Sequence, residues 1–382
     1  MISKQAFQIK KITIFWLMLI IVIIFRLLAN TLELEGSINT LSSQVINILV
    51  CIYGLYLIAE VVRYKHVVDK NAALTILVFC WYLLSLLLSD YYATGEIINI
   101  NIYMLIFVVG ILLNNKLEIS DYTKYLNWLS GLFVYLSLLI YFLGYGMYGT
   151  GEDARFMGLD THPSYCGFII AVYMILNFRK NIIVQIIPIF LMTITMAKTA
   201  IGSVVLCYGI FLLIMLRQSR WKQLYRVRLP IIAIILYGVF LAIQDNIDWT
   251  FTGRTTIWEY SINAYTQSKS FLLGIGTAYM SDWVGQAHNQ FIQSIVSNGI
   301  FGLAAIIMLL IILFRKTWKI FEIDNNYEPL LIWVLLFMRC LTEAPFKLLS
   351  IDAVSFPILF LILLPYSKYK EGKKDESFTY NE

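Results

Sequence analysis

Apolar runs of about 20 residues, the length an α-helix needs to cross a hydrocarbon core of roughly 30 Å, follow one another along this chain with little polar sequence between them. They fall at 12–29, 45–62, 73–89, 98–113, 125–144, 163–178, 182–197, 200–216, 229–244, 290–314, 330–342 with its flanks, and 350–365. Of the 382 residues 59% are hydrophobic and 14% charged, and a mean hydropathy of +0.74 leaves no gap wide enough for a soluble domain. The alternating ten-residue pattern of an outer-membrane barrel is absent, and helices are the other way to satisfy backbone polar groups in lipid. The predicted fold is therefore all-α: a polytopic membrane protein of about 12 transmembrane helices. A single helical domain occupies 1–366, and a Lys- and Glu-rich cytoplasmic tail follows at 367–382.

An even number of spans puts both termini on one side, and the distribution of lysine and arginine chooses the cytoplasm. Five of the 29 basic residues (Arg155, Lys198, Arg254, Lys269 and Lys347) then lie outside, Arg26 and Arg339 fall within spans, and the remaining 22 lie inside. The outer loops are acidic instead, with Glu152, Asp153, Asp160, Asp245, Asp248 and Glu259 among them. Lys4, Lys10 and Lys11 precede the first apolar run without a small-residue cleavage site after it, which reads as a retained span. The five cysteines are scattered singly without metal or redox spacing, so they are expected to be packing residues.

The longest interval without a membrane-length run is the outer loop 245–289, between the ninth and tenth spans. It contains Gly253-Arg254, Trp258, the pair Gly274 and Gly276, and finally His288-Asn289. Topological bias excludes cations from outer loops, so those that remain are informative. Arg254 has two readings: a rim ion pair with Glu259 or Asp248, worth about 0–1 kcal/mol, or a fixed cation for an anionic substrate. Lys198 lies at the tip of the hairpin TITMAKTAIGS and either snorkels to headgroups or points into an outward cavity. Arg155 sits in GEDARFMGLDTHPSY with acids on both sides, and His162 precedes Pro163 there as a second imidazole.

His288 titrates near neutrality if unperturbed, which suits it to exchange a proton with a hydroxyl; a packing imidazole is the blander alternative. Trp249, Trp258, Trp283 and Tyr279 read either as faces for sugar rings or as interfacial anchors. No HExxH, Asp-x-Asp or GxSxG element occurs, and the chain has three histidines in separate loops. No metal, cofactor or nucleic-acid site is expected. What the residues offer is cations for a diphosphate and an imidazole for a hydroxyl.

GRTTIW, then GIG, then AHNQFIQSIVSNGIFG resembles the signature region of bacterial O-antigen ligases and of Wzy-type polysaccharide repeat-unit polymerases. RFMGLDTHPSY is similar to the stretch that opens a middle span in many members, and TMAKTAIG to their Thr-x-Ser-Arg hairpin. The resemblance covers about the second half of the chain. It implies a C-type glycosyltransferase-like architecture in the bacterial cytoplasmic (inner) membrane. The implied activity is metal-independent transfer of glycan from an undecaprenyl-diphosphate-linked oligosaccharide, without a cofactor. Arg254 matches the family's diphosphate-holding arginine, and His288 the histidine that assists the acceptor hydroxyl. Lys198 stands where a second arginine is usual; lysine lacks the planar fork for bidentate phosphate contact, so Lys198 or Arg155 supplies the second cation. His162, Trp258 and Asn289 are further candidates for sugar or acceptor contact from the residues themselves, and His162 departs from the asparagine that many relatives carry before this proline.

The expected function is polymerisation of lipid-linked repeat units into a capsule, exopolysaccharide or O-antigen. The alternative is ligation of the glycan to a lipid, protein or wall acceptor. The expected partners are the lipid bilayer, a flippase and a chain-length regulator. A reading from another class is a non-enzymatic transporter of lipid-linked sugar, for which Arg26, Glu60, Arg339 and Glu343 within or near spans would mark a pathway.

Overall fold

In the computed structural model the described residues are 119–149, 154–160, 162–180, 183–217, 254–268, 270–276 and 287–346, with scattered positions between 24 and 88 and between 357 and 361. Among them run α1 (Ile119–Phe142), β1 (Met147–Tyr148), β2 (Arg155–Phe156), α2 (Pro163–Leu176), α3 (Ile183–Thr195), α4 (Lys198–Arg217), α5 (Arg254–Gln267), α6 (Gln290–Asp324) and α7 (Glu328–Thr342). Six of the expected spans coincide with α1, α2, α3, α4, α6 and α7. The other six lie, scattered positions aside, outside the described residues, as do both termini and Trp249, Tyr279 and Trp283.

Three of the described helices are long and apolar enough to cross a membrane: Thr123–Phe142, Lys198–Met215 and Gln290–Asp324. Helix α6 counts 35 residues with a break at Gly299, and the 25 residues after the break alone rise about 37 Å, beyond a hydrocarbon core of roughly 30 Å. Its exposed apolar residues Ile300, Ile307, Ile311 and Phe314 recur at helical spacing, as a lipid-facing stripe should.

The centre of the bundle is α2, buried along all of its length except Tyr165. Helix α1 and the α3–α4 hairpin flank it, and α7 packs against α2, α4 and α6. Close approach is possible because Gly167 lacks a side chain: a Cβ there would lie 2.6 Å from the Cβ of Ala197. Local signals begin each of the key helices. Pro163 takes the first helical position of α2, where no N–H is needed, and Asn289 caps α6 by accepting from the N–H groups of Phe291 and Ile292.

An antiparallel two-residue hairpin joins α1 to α2, pairing Met147 with Phe156 and Tyr148 with Arg155. It is an addition to the all-α expectation, too short to leave a period in the sequence. Cys166, Cys207 and Cys340 are buried and Cys80 is exposed, without a disulfide among them.

Candidate active site

Among the described residues α2, α4, α5 and α6 begin at one end of the bundle, and α1, α3 and α7 end there. The Arg339 guanidinium of α7 donates to the Ser164 carbonyl in the first turn of α2 (2.9 Å). Gly167 of α2 meets the turn that starts α4. Arg254, the first residue of α5, and Asn289, the cap of α6, both bond carbonyls at the end of α7. Helix N-termini carry partial positive charge and unsatisfied N–H donors, and C-termini the opposite, so both kinds of backbone charge meet at this end of the molecule.

A cation at a helix N-terminus is electrostatically disfavoured, so Arg254 needs compensation from elsewhere. The C-terminus of α7 supplies it: Nη1 donates to the Thr342 carbonyl (2.8 Å) and Nη2 to Glu343 Oε1 (3.2 Å). Of the two carboxylates weighed as rim partners, Asp248 lies outside the described residues; among those described, the carboxylate that Arg254 bonds is Glu343, 89 positions downstream in sequence. Glu343 is 2% exposed, and its other oxygen, Oε2, lies 2.9 Å from His288 Nδ1. Because an ionised carboxylate only accepts, the His288 Nδ1 facing Glu343 carries a proton, and in the neutral ring Nε2 is then the acceptor nitrogen. His288 also holds a left-handed backbone (φ 49), a conformation that costs a side-chain-bearing residue about 1–3 kcal/mol and clusters at functional sites.

Arg339, one helical turn before Glu343, is buried between the rings of Tyr165 (4.9 Å) and Phe168 (4.7 Å). Beside it His162 caps α2: its Nδ1 accepts from the Ser164 N–H (3.2 Å) and meets the Ser164 hydroxyl at 2.8 Å. The ring proton of His162 therefore resides on Nε2, the reverse of His288. Tyr148 of β1 lies edge-on to this imidazole at 5.1 Å, and its cross-strand neighbour is Arg155, exposed on β2. Lys198 is exposed at the start of α4.

Trp258 and Asn289 fill supporting positions. The Trp258 indole donates to the Ala287 carbonyl (2.8 Å), pinning α5 to the residue before His288. Asn289 caps α6 and bonds Leu341 O at 3.1 Å. Gln290 accepts from the Phe346 N–H (2.8 Å) and Gln293 from the Ala287 N–H (2.9 Å), so the backbone on both sides of His288 and Glu343 is fixed by buried amides.

The charges make this end of the molecule acid-sensitive. Burial lowers the His162 pKa below its ordinary 6.5, with Arg155, His288 and Arg339 acting in the same direction and Glu343 opposing them. Burial alone would raise Glu343, but the His288 hydrogen bond and the charges of Arg339, His288 and Arg254 prevail and hold it below its ordinary 4.5. In both cases the unfolded chain takes up its proton at the higher pH. His162 thus withdraws stability as pH falls from 6.5 toward its folded value, and Glu343 does so below 4.5. Thermal unfolding in detergent from neutral pH to about 4 should show a falling midpoint. Glu343→Gln should flatten the lowest part of that profile; a midpoint that rises on acidification would contradict the assignment.

Sequence reasoning singled out Arg254 and His288 and left out the carboxylate that joins them. The signal was present in Arg339 and Glu343, four apart at the end of an apolar run, but it read as a transport pathway.

No protein-family model matches the chain. It is 25% identical over 246 residues to the exopolysaccharide production protein ExoQ of Rhizobium meliloti, an alignment that takes in 55% of this chain and 50% of that protein. The chain thus spans about half the length of the curated relative it matches.

Proposed function

We propose that the chain is a metal-independent glycosyltransferase of surface-polysaccharide assembly. It polymerises repeat units carried on undecaprenyl diphosphate, at the outer face of the bacterial cytoplasmic membrane. The observation that carries this reading is the convergence of Arg254 and His288 on the buried Glu343 carboxylate, at the end of the bundle where four helices begin. Likeness to an exopolysaccharide production protein supports the same class of product.

The diphosphate of the donor lies against Arg254, with Arg155 and Lys198 as further cations. Two of the five N–H donors of Arg254 hold Thr342 and Glu343, which fixes the plane of the guanidinium before the anion arrives. As the bond between the anomeric carbon and the diphosphate oxygen breaks, negative charge grows on the departing polyprenyl diphosphate, and prepositioned cations stabilise it. His288 Nε2 accepts the proton of the attacking hydroxyl, and the oxygen bonds the anomeric carbon from the opposite face, so the product is inverted. Glu343 steadies the imidazolium that results. With its proton on Nε2, His162 serves as a donor to a sugar hydroxyl or phosphate oxygen rather than as a second base. A flippase that delivers the lipid-linked unit and a chain-length regulator are the expected partners.

Purified protein incubated with a synthetic polyprenyl-diphosphate repeat unit should yield a ladder of products. Arg254→Gln, which keeps a donor to the Thr342 carbonyl without adding a second carboxylate beside Glu343, should lose the ladder and donor binding, whereas His288→Ala should keep donor binding and lose transfer. A single product formed only with an added lipid or wall acceptor would indicate ligation, and unchanged donor under all conditions would overturn the enzymatic reading.

A further inference from the structure

Helix α6 is interrupted at Gly299, whose φ of 65° and ψ of −165° are not helical. The break frees backbone groups on either side, and the segment after α5 takes them up. Ile275 N–H donates to Val296 O (2.7 Å) and Gly276 N–H to Ser297 O (3.0 Å); in return Ile300 and Phe301 donate to the carbonyls of Phe271 and Leu272 (3.3 Å each). Within the segment Gly274 N–H bonds Ser270 O, and the Tyr265 hydroxyl bonds Phe271 O. The Phe301 carbonyl accepts from the Trp81 indole at 3.3 Å.

The depth of this junction follows from helix length. Arg315 is exposed and begins the basic end of α6. About 20 residues at 1.5 Å each cover the hydrocarbon core, which counted back from Arg315 reaches Ile295 and leaves Gly299 about 6 Å inside. At that level backbone groups find no water, and the reciprocal bonds between segment and helix meet the requirement this imposes. The side chains agree: Phe271 and Leu272 are 56% and 51% exposed, beside Ile300 at the head of the lipid-facing stripe of α6.

We propose that 270–276, part of an interval with the composition of an aqueous loop, is a shallow re-entrant segment whose Phe271 and Leu272 rest against the acyl chains of the bilayer. Exposed to water, these two side chains would lose the free energy that apolar burial provides; against lipid they are solvated. The Trp81 indole at the same junction fits the interfacial depth where tryptophans concentrate. Because Tyr265 bonds the segment, lipid contact anchors α5 and with it Arg254.

Carbene photolabelling of the native full-length protein in phosphatidylcholine and phosphatidylglycerol vesicles tests it by peptide mapping. A probe tethered to an acyl chain should label Phe271 and Leu272 to a level comparable with Leu213, an exposed apolar residue of α4, and several-fold above the α5 peptide containing Glu259. A water-soluble probe should show the reverse ranking. Absence of lipid-phase adducts at 271–272 while Leu213 is labelled, or aqueous labelling equal to that at Glu259, would overturn the proposal.

Discussion

Glu343→Ala is expected to abolish polymer formation and to destabilise the folded protein by about 3–5 kcal/mol, the cost of leaving buried charge uncompensated. Arg339 remains buried after the substitution, and Arg254 remains at the positive end of α5 with, among the described residues, the Thr342 carbonyl to hold it. The loss should appear as a lower unfolding midpoint in detergent. Glu343→Gln preserves the shape and one acceptor oxygen but removes the charge, so it keeps the packing, shares the electrostatic part of the stability loss, and is assayed below its own unfolding midpoint. With the amide in place the His288 ring is no longer held with its proton on Nδ1, and positioned proton transfer of this kind contributes about 10²–10⁴-fold to rate. The glutamine variant should therefore bind the lipid-linked donor normally and turn it over at a small fraction of the wild-type rate, a fall in kcat with little change in KM. Wild-type turnover by Glu343→Gln would show that the carboxylate does not position the imidazole.

What the sequence disclosed and what it hid divide along physical lines. Helix positions were legible because lipid leaves the backbone of an apolar run one way to pair its polar groups. Pro163 and Gln290 accordingly begin helices where the apolar runs at 163 and 290 do. Arg254 and His288 stood out because each is a polar exception beside apolar sequence. Their mutual partner did not, since an ion pair spanning 89 positions has no local signature. Glu343 was visible only as an anomalous acid at the end of an apolar run, and whether such a residue lines a pathway or ends a helix beside a cation is decided by packing. The carboxylate that Arg254 bonds among the described residues comes from the end of another helix, so the sequence next to Arg254 does not disclose it. Gly274 and Gly276 form a Gly-x-Gly pair in sequence, yet Gly274 meets Gly299 and Gly276 meets the Ser297 carbonyl only in three dimensions.

That meeting makes Gly299 the position where a single methyl group should do the most structural damage. Its φ and ψ lie in a region essentially reserved for glycine. A Cβ added there would stand 2.2 Å from the Leu272 carbonyl oxygen and 2.6 Å from the Gly274 nitrogen, backbone atoms that cannot swing aside. Gly299→Ala must therefore either straighten α6 or expel 270–276. Either outcome leaves the Phe271 and Leu272 carbonyls and the Ile275 and Gly276 N–H groups without the partners they have now. The expected cost is on the order of 3 kcal/mol or more, combining backbone strain with lost buried hydrogen bonds. Gly202→Ala in α4 is the matched control: no heavy atom lies within 4 Å of its added Cβ, and the same substitution in a helix interior should stabilise by roughly 0.5–1 kcal/mol. Thermal midpoints of the two variants should move in opposite directions. If Gly299→Ala unfolds at the wild-type midpoint, the break in α6 is not held by the loop, because the helix could then close over it without loss.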